Sequence, residues 1–156
     1  MRASRKALGL GAISGLRSLS GPALLSRAAT NGSLSLDGTA LSFLGSPRVS
    51  KTLLAMALGE LVVDKLPATP SRTALPPLLG RAASGALVGA ALFASDGRRA
   101  AAGAVLGSSA AVVAAFAGER LRVLVGEKTG LPDPVVALAG DAIVLLGGLR
   151  LLKDVR

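Results

Sequence analysis

The longest uncharged stretch of the sequence runs from Ala100 to Gly118, directly after the cations Arg98 and Arg99. About 20 apolar residues cross the hydrocarbon core of a bilayer as an α-helix, so this stretch predicts a membrane span, which we extend to Gly126. The chain as a whole is 51% hydrophobic, more than a soluble domain of its size can hide. The sequence therefore predicts an all-α integral membrane protein.

Four more apolar stretches complete a predicted helical bundle of five spans in a single domain, residues 1–156. The prolines and glycines that border the stretches mark helix ends. The predicted spans are residues 7–29, 49–66, 78–94, 100–126 and 134–152. Five spans place the two termini on opposite faces of the membrane and divide the Lys and Arg residues almost equally between those faces. The positive-inside rule therefore gives no orientation.

The first span, residues 7–29, is the least regular of the five. Gly21 and Pro22 weaken a helix, and Arg17 lies near its centre. Two alternatives stay open for this stretch. It could be a cleaved secretory signal, although no long leucine-rich core precedes an Ala-x-Ala site, or an organellar transit peptide, since residues 2–27 are rich in Arg and Ser and contain no acid.

The absence of two residue types excludes several classes of protein. Without cysteine or histidine, the chain has no disulfide, no thiolate or imidazole metal site and no Ser-His or Cys-His nucleophile pair. We therefore expect no enzyme activity, no cofactor and no metal. The net charge of +9 is divided into short clusters between apolar runs, where cations meet lipid headgroups. The expected partners are membrane lipids and not nucleic acid.

Three Gly-x-x-x-Gly pairs predict close packing of helices. They are Gly11 with Gly15, Gly85 with Gly89, and Gly103 with Gly107. Small residues at this spacing allow the backbones of two membrane helices to touch. In a chain so rich in Ala and Gly, they favour tight packing within the bundle over a specific dimer, and the oligomeric state stays open.

An internal similarity suggests a repeat. Residues 54–63 resemble residues 135–144, and each segment has a small residue and an acid at mid-span. A weaker similarity pairs residues 15–17 with residues 118–120. Together they indicate a first pair of spans, a single linker span and a second pair of spans. This order is the inverted repeat of many secondary transporters. The alternative is chance similarity in low-complexity apolar sequence.

Charged residues inside the spans define a predicted polar site. Glu60 and Asp141 lie near the middle of their spans, where each acid costs at least ~2.5 kcal/mol. Asp64 follows Glu60 by one helical turn on the same face. Arg17 is the basic residue at comparable depth, so the simplest neutral arrangement has its guanidinium bridging Glu60 and Asp141. Secondary candidates for the site are Arg72, Glu119 and Arg120.

A specific motif, Gly-Glu-x-x-x-Asp-Lys-x-Pro-x-x-Pro-Ser-Arg, occupies residues 59–72. It is accompanied by Gly-Leu-Arg-Ser at 15–18, Gly-Leu-Pro at 130–132 and Ala-Gly-Asp at 139–141. In these segments the chain resembles the bacterial membrane-protein family called domain of unknown function 4126. The resemblance implies a multi-spanning bacterial membrane protein in which residues 7–29 belong to the mature chain. It implies no substrate.

Two functions fit the predicted site. The first is a small transporter- or channel-like protein of a bacterial cytoplasmic membrane, whose carboxylates exchange a proton or cation on the path of a small ion or polar solute. The second is a non-transporting structural or accessory subunit, in which the ion pairs fix the register of the helices. The proline-rich segment 66–73 has a similar pair of interpretations, an anion site or a plain turn between helices.

Overall fold

The computed structural model describes residues 3–63, 73–130 and 133–153. These residues form helices and no strand. The helices are α1 (Ala3–Leu16), α2 (Ser20–Thr30), α3 (Pro47–Val63), α4 (Leu75–Ser95), α5 (Ala100–Thr129) and α6 (Asp133–Lys153), with a short 3-10 helix at Ser42–Gly45. The predicted all-α class is confirmed for this part of the chain. The second to fifth predicted spans correspond to one helix each, α3 to α6.

The first predicted span, residues 7–29, is two helices and not one, because α1 ends at Leu16 and α2 begins at Ser20. Proline explains the interruption. Pro22 has no backbone N–H, and in a continuous helix its ring would clash with the carbonyl of Ser18, four residues earlier. In the first turn of α2 the same proline is tolerated, since the N–H groups there have no partner within the helix. The structure therefore corrects the prediction of a single helix.

The helices α1 and α2 form a hairpin. In a continuous helix Gly21 would lie roughly 16 Å from Leu10, yet a Cβ added at Gly21 would lie 3.0 Å from the Leu10 carbonyl oxygen and 2.0 Å from Ser14 Oγ. Near the other end of α2, Ser26 Oγ donates to the carbonyl oxygen of Leu44 at 2.5 Å. Leu44 belongs to the same core cluster as the first turns of α1. The chain therefore returns to the side from which α1 started.

The centre of the bundle is formed by α1, α4 and α5, which pack at their glycines. A Cβ added at Gly89 would lie 2.0 Å from the carbonyl oxygen of Gly103. A Cβ at Gly107 would lie 2.1 Å from the carbonyl oxygen of Gly85, and one at Gly15 would lie 2.1 Å from that of Ala111. Backbones this close leave no room for a side chain. The predicted Gly-x-x-x-Gly packing is therefore observed within one chain.

Contacts between helices give the direction of each. α1 begins beside the α4–α5 turn, where Arg98 Nη1 donates to Ser4 Oγ at 3.1 Å. We call this end of the bundle the Arg98 end. α6 runs antiparallel to α1, because its residue Asp141 contacts Arg17 while Gly148, two turns later, lies against the Ile13 side chain. Thus α1, α3 and α5 run away from the Arg98 end, and α2, α4 and α6 run toward it.

Much of the exposed surface of the helices is apolar. Two of its helices, α4 and α5, are long and apolar enough to span a membrane, with mean hydropathies of 1.4 and 1.8. Large hydrophobic side chains are exposed on the remaining faces of α3, α5 and α6, among them Leu54, Leu58, Val62, Val105, Val113, Leu121, Leu138 and Leu146. Large apolar patches are rare on soluble monomers, so this many exposed apolar side chains is compatible with a membrane environment.

The described helices do not show the predicted internal repeat. The repeat pairs residues 15–17 with residues 118–120, but the former lie where α1 ends and the latter lie inside the continuous helix α5. Glu60 and Asp141, the two acids of the repeat, both contact the segment that joins α1 to α2. An inverted repeat would instead place them at two symmetry-related positions.

Candidate functional site

The segment that joins α1 to α2, residues 17–19, lies inside the bundle, and we call it the hairpin tip. α1 carries it roughly 20 Å from the Arg98 end at 1.5 Å per residue. A helix broken at this depth leaves carbonyl groups without partners at the end of α1 and N–H groups without partners at the start of α2. Away from water these groups need other partners, which α3 and α4 supply.

Glu60 of α3 binds the start of α2. Its Oε1 accepts hydrogen bonds from the backbone N–H of Ser18 at 2.8 Å and from Ser18 Oγ at 2.7 Å. Its Oε2 accepts one from the N–H of Leu19 at 2.9 Å. α2 has no side-chain cap of its own. A carboxylate is favourable at this place because the N-terminus of a helix carries partial positive charge.

Arg81 of α4 binds the end of α1. Its Nη1 donates to the carbonyl oxygens of Gly15 at 2.9 Å and Leu16 at 2.7 Å, and the side chain is only 4% exposed. A cation complements the partial negative charge at a helix C-terminus. The hairpin tip is therefore held by an acid at one helix end and by a base at the other.

Sequence reasoning missed Arg81. The predicted span started at Leu78, which placed Arg81 near an end, where a long cationic side chain reaches the headgroups. The helix in fact starts at Leu75 and accepts Pro76 and Pro77 in its first turn. This places Arg81 nearly two turns inside α4. The Pro-Pro pair was the signal that could have identified the earlier start.

Arg17 forms an ion pair with Asp141 of α6. Its Nε donates to Oδ1 of Asp141 at 2.7 Å, and its Nη2 contacts the same oxygen. Arg17 is 2% exposed and Asp141 is 7% exposed, so the pair is buried. The second carboxylate oxygen of Asp141, Oδ2, is buried and has no hydrogen-bond partner among the described residues.

A cavity of about 310 Å³ lies beside this ion pair. It is lined by the hairpin tip, α5 and α6, and most of its wall is apolar. The lining residues are Leu16, Arg17, Gly118, Leu121, Arg122, Val125, Val136, Ala139, Gly140, Asp141 and Val144. Leu121 is 62% exposed on the outer face of α5, and a Cβ added at Gly140 on α6 would meet nothing within 4 Å. The cavity is therefore open to the outside of the bundle near Leu121 and Gly140.

The structure brings three of the predicted site residues, Arg17, Glu60 and Asp141, to the hairpin tip. Their pairing differs from the expected bridge, because Glu60 binds backbone N–H groups and the Ser18 hydroxyl while Asp141 binds Arg17. Backbone N–H groups freed by a helix break are partners that a helix-by-helix interpretation of the sequence does not consider.

The remaining predicted residues are not brought to the tip by the described contacts. Asp64 and Arg72 lie outside the described residues, as does most of the segment 66–73. Glu119 is half-buried and Arg120 is exposed on α5, and neither lines the cavity. Across the part of the chain that the structure describes, no three His, Cys, Asp or Glu side chains group as metal ligands.

A helical bundle that exposes many apolar side chains and holds a charge-stabilised hairpin in its interior is compatible with an integral membrane protein. The chain belongs to the family described as Domain of unknown function (DUF4126), whose family model matches residues 6–153. The resemblance seen in the motif at residues 59–72 is thereby confirmed. No curated protein and no solved structure matches the chain. Since the family description names no activity, function has to be argued from the site.

Proposed function

We propose that the chain is a multi-pass protein of a bacterial cytoplasmic membrane, with α3 to α6 as four spans and α1–α2 as a re-entrant hairpin. α1 has 14 residues and is roughly 21 Å long, too short for a hydrocarbon core of about 30 Å, and α2 turns back from its end. A helix break at membrane depth is tolerated where protein satisfies the backbone. Glu60 and Arg81 satisfy it here.

This topology predicts that both termini lie on one face of the membrane. Five spans would instead place them on opposite faces. Along the described residues, the cations toward the Arg98 end are Arg5, Lys6, Arg27, Arg48, Lys51, Arg98, Arg99, Arg150 and Lys153, against Arg81, Arg120, Arg122 and Lys128 toward the opposite end. The positive-inside rule then places the Arg98 end in the cytoplasm. Reporter fusions at Met1 and at Arg156 should both give the cytoplasmic signal. A cytoplasmic signal at one terminus only would contradict the re-entrant hairpin.

We further propose that the protein is transporter-like and that Asp141 is its exchangeable group. The observation that carries this proposal is the Oδ2 atom of Asp141, which is buried, lacks a partner among the described residues and belongs to a residue in the cavity wall. A proton or cation can bind there and leave again through the cavity. Ionisable groups inside membranes commonly mark such pathways.

The rival function is a non-transporting structural or accessory subunit, and the contacts of Glu60 favour it for that residue. Both oxygens of its carboxylate are engaged by the hairpin tip, so Glu60 has the hydrogen bonds of a structural clamp. Substitutions of the two acids therefore distinguish the two proposed functions. Glu60 holds the fold in either case, and Asp141 exchanges a proton only in a transporter.

A comparison of Asp141→Asn with Glu60→Gln tests this division, with the exposed Asp96→Asn as control. We expect Asp141→Asn to abolish proton flux in liposomes at temperatures where the variant is still folded, because an amide does not titrate. Glu60→Gln should lose about 1.5–3 kcal/mol of stability, since one carboxylate oxygen becomes an NH2 group that cannot accept, and should keep its flux while folded. A parent protein that carries no proton flux under any pH gradient would establish the structural role.

A further inference from the structure

We propose that the cavity beside the Arg17–Asp141 pair binds a neutral, apolar molecule that carries a hydroxyl group and is dissolved in the membrane, with the hydroxyl donating to Oδ2 of Asp141. The inference rests on the proposed transport function, for which it names the class of solute, and binding can be measured separately from transport. Four properties of the cavity carry it, namely its hydrogen-bond acceptor, its charges, its depth and its size.

The acceptor of the cavity is Oδ2 of Asp141. Oδ1 of the same carboxylate is held by Arg17, whereas Oδ2 is buried and has no hydrogen-bond partner among the described residues. A buried acceptor without a donor is costly, and native structures nearly always supply one. Because Asp141 lines the cavity, a ligand bound there can supply the missing donor. A hydroxyl group provides one donor without adding a charge.

The charges around the cavity favour a neutral ligand. Arg17 and Asp141 form an ion pair and compensate each other. Arg122, which also lines the cavity, is already engaged in an interaction, so its charge is not counted as available to a ligand. An ionic ligand would lose its hydration in a mostly apolar cavity without a dedicated counter-ion. A neutral molecule with a single donor avoids this penalty.

The depth of Asp141 is too great for a phospholipid headgroup and suits a molecule dissolved in the hydrocarbon core. Asp141 lies eight residues after the start of α6 at Asp133, in a helix of 21 residues. With α6 as a span, the carboxylate lies roughly 12 Å from the nearer end of the helix, below the level of the headgroups. The cavity is open to the outside of the bundle near Leu121 and Gly140. A small apolar molecule can enter there directly from the hydrocarbon.

The size of the cavity limits the apolar part of the ligand. An apolar cavity of about 150 Å³ holds one benzene molecule, and this cavity measures about 310 Å³. It therefore has room for about two fused rings. Leu16, Val125 and Val136 supply apolar wall for them. A bicyclic phenol such as 2-naphthol combines this size with one hydroxyl group.

Binding of 2-naphthol to the full-length protein in liposomes tests the proposal. The chain contains no Trp or Tyr, so the fluorescence of the naphthol is measured without their emission. Protein-free liposomes correct for partition into the lipid. We expect saturable binding of one 2-naphthol per chain. The matched probe 2-methoxynaphthalene has the same rings but no donor and should bind at least about tenfold more weakly, because it leaves the charged acceptor without a hydrogen bond.

Two substitutions on α6 test whether the probe occupies this cavity. Gly140 lines the cavity, and a Cβ added there would meet nothing within 4 Å. Gly140→Leu therefore adds an apolar side chain at the cavity and should abolish saturable binding of 2-naphthol. Gly147→Leu is the matched control, because a Cβ there also meets nothing within 4 Å and Gly147 does not line the cavity. This variant should bind 2-naphthol as the parent does.

Asp141→Asn tests the acceptor itself. The amide has no charged oxygen, so 2-naphthol should lose most of its preference over 2-methoxynaphthalene. Melting curves ensure that only folded variants are compared. If Asp141→Asn does not fold, the comparison of the two probes in the parent still decides whether a hydroxyl contact forms.

Several results would overturn the proposal. Equal affinity of the parent for the two probes would show that the hydroxyl makes no contact, and unchanged binding in Gly140→Leu would place the probe elsewhere. Tighter binding of 2-naphthoate than of 2-naphthol would make the site one for an anion. Proton flux without saturable binding of 2-naphthol would overturn this inference alone. Binding without any flux would overturn the proposed function alone.

Discussion

Gly103→Ala is expected to destabilise the protein by about 3 kcal/mol, the upper part of the range for overpacked sites. The added Cβ would lie 2.2 Å from the carbonyl oxygen of Gly89 and 2.7 Å from the Phe93 ring. A carbonyl oxygen cannot rotate away as a side chain does, so α4 and α5 must separate. Separation removes dispersion contacts along the whole interface, which is the principal one in the bundle.

The matched control is Gly126→Ala on the same helix. A Cβ there would meet nothing within 4 Å, so only helix propensity changes, and alanine is favoured over glycine by up to about 1 kcal/mol. The two substitutions are chemically identical and should shift the melting temperature in detergent in opposite directions. If Gly103→Ala and Gly126→Ala have the same melting temperature, the α4–α5 contact is looser than the structure shows.

The parts of the fold that follow from local sequence could be predicted. The uncharged run after Arg99 and the prolines and glycines around the other apolar stretches identified α3 to α6, because helix formation and burial in lipid depend on nearby residues. The Gly-x-x-x-Gly pairs also predicted tight packing, since glycine is needed wherever two backbones touch.

The hairpin could not be predicted, because it depends on contacts distant in sequence. Residues 7–29 have the length and composition of a span, and Pro22 alone would kink a helix without reversing it. Reversal requires partners for the freed backbone groups. These come from Glu60 and Arg81, which lie 42 residues from Ser18 and 66 residues from Gly15. When each helix is interpreted separately, Glu60 is expected to pair with a cation. The backbone N–H groups that it binds belong to another part of the chain and are not considered.

The sequence predicted only part of the candidate site. It named Arg17, Glu60 and Asp141 and paired Arg17 with Asp141, but it did not indicate Arg81 or Arg122. Arg17 and Asp141 were singled out because ionised groups inside a membrane need partners, and that argument requires no geometry. The cavity depends on geometry, because it lies between the hairpin tip, α5 and α6. Arg122 lines it and Arg120 does not, a difference set by the rotation of α5.

The second large effect is expected for Arg81→Gln, which removes the cation at the end of α1. Two carbonyl oxygens, of Gly15 and Leu16, lose a charged donor in the interior, and bonds to charged groups contribute about 1.5–3 kcal/mol each. We expect a loss of about 3–5 kcal/mol, comparable with breaking a buried ion pair. In this variant the hairpin tip is held only by Glu60, so its amides should also exchange hydrogen faster than in the parent protein.

Arg99→Gln provides the control, because Arg99 is exposed at the α4–α5 turn and its loss removes surface charge alone. Arg81→Lys distinguishes charge from geometry: its ammonium keeps the favourable interaction with the helix C-terminus, but its shorter side chain cannot reach both carbonyls in the same way. The expected order of melting temperatures is parent and Arg99→Gln highest, Arg81→Lys between, and Arg81→Gln lowest. If Arg81→Gln melted together with Arg99→Gln, the end of α1 would have to be satisfied without Arg81, and the account of the hairpin tip as a charge-clamped helix break would be wrong.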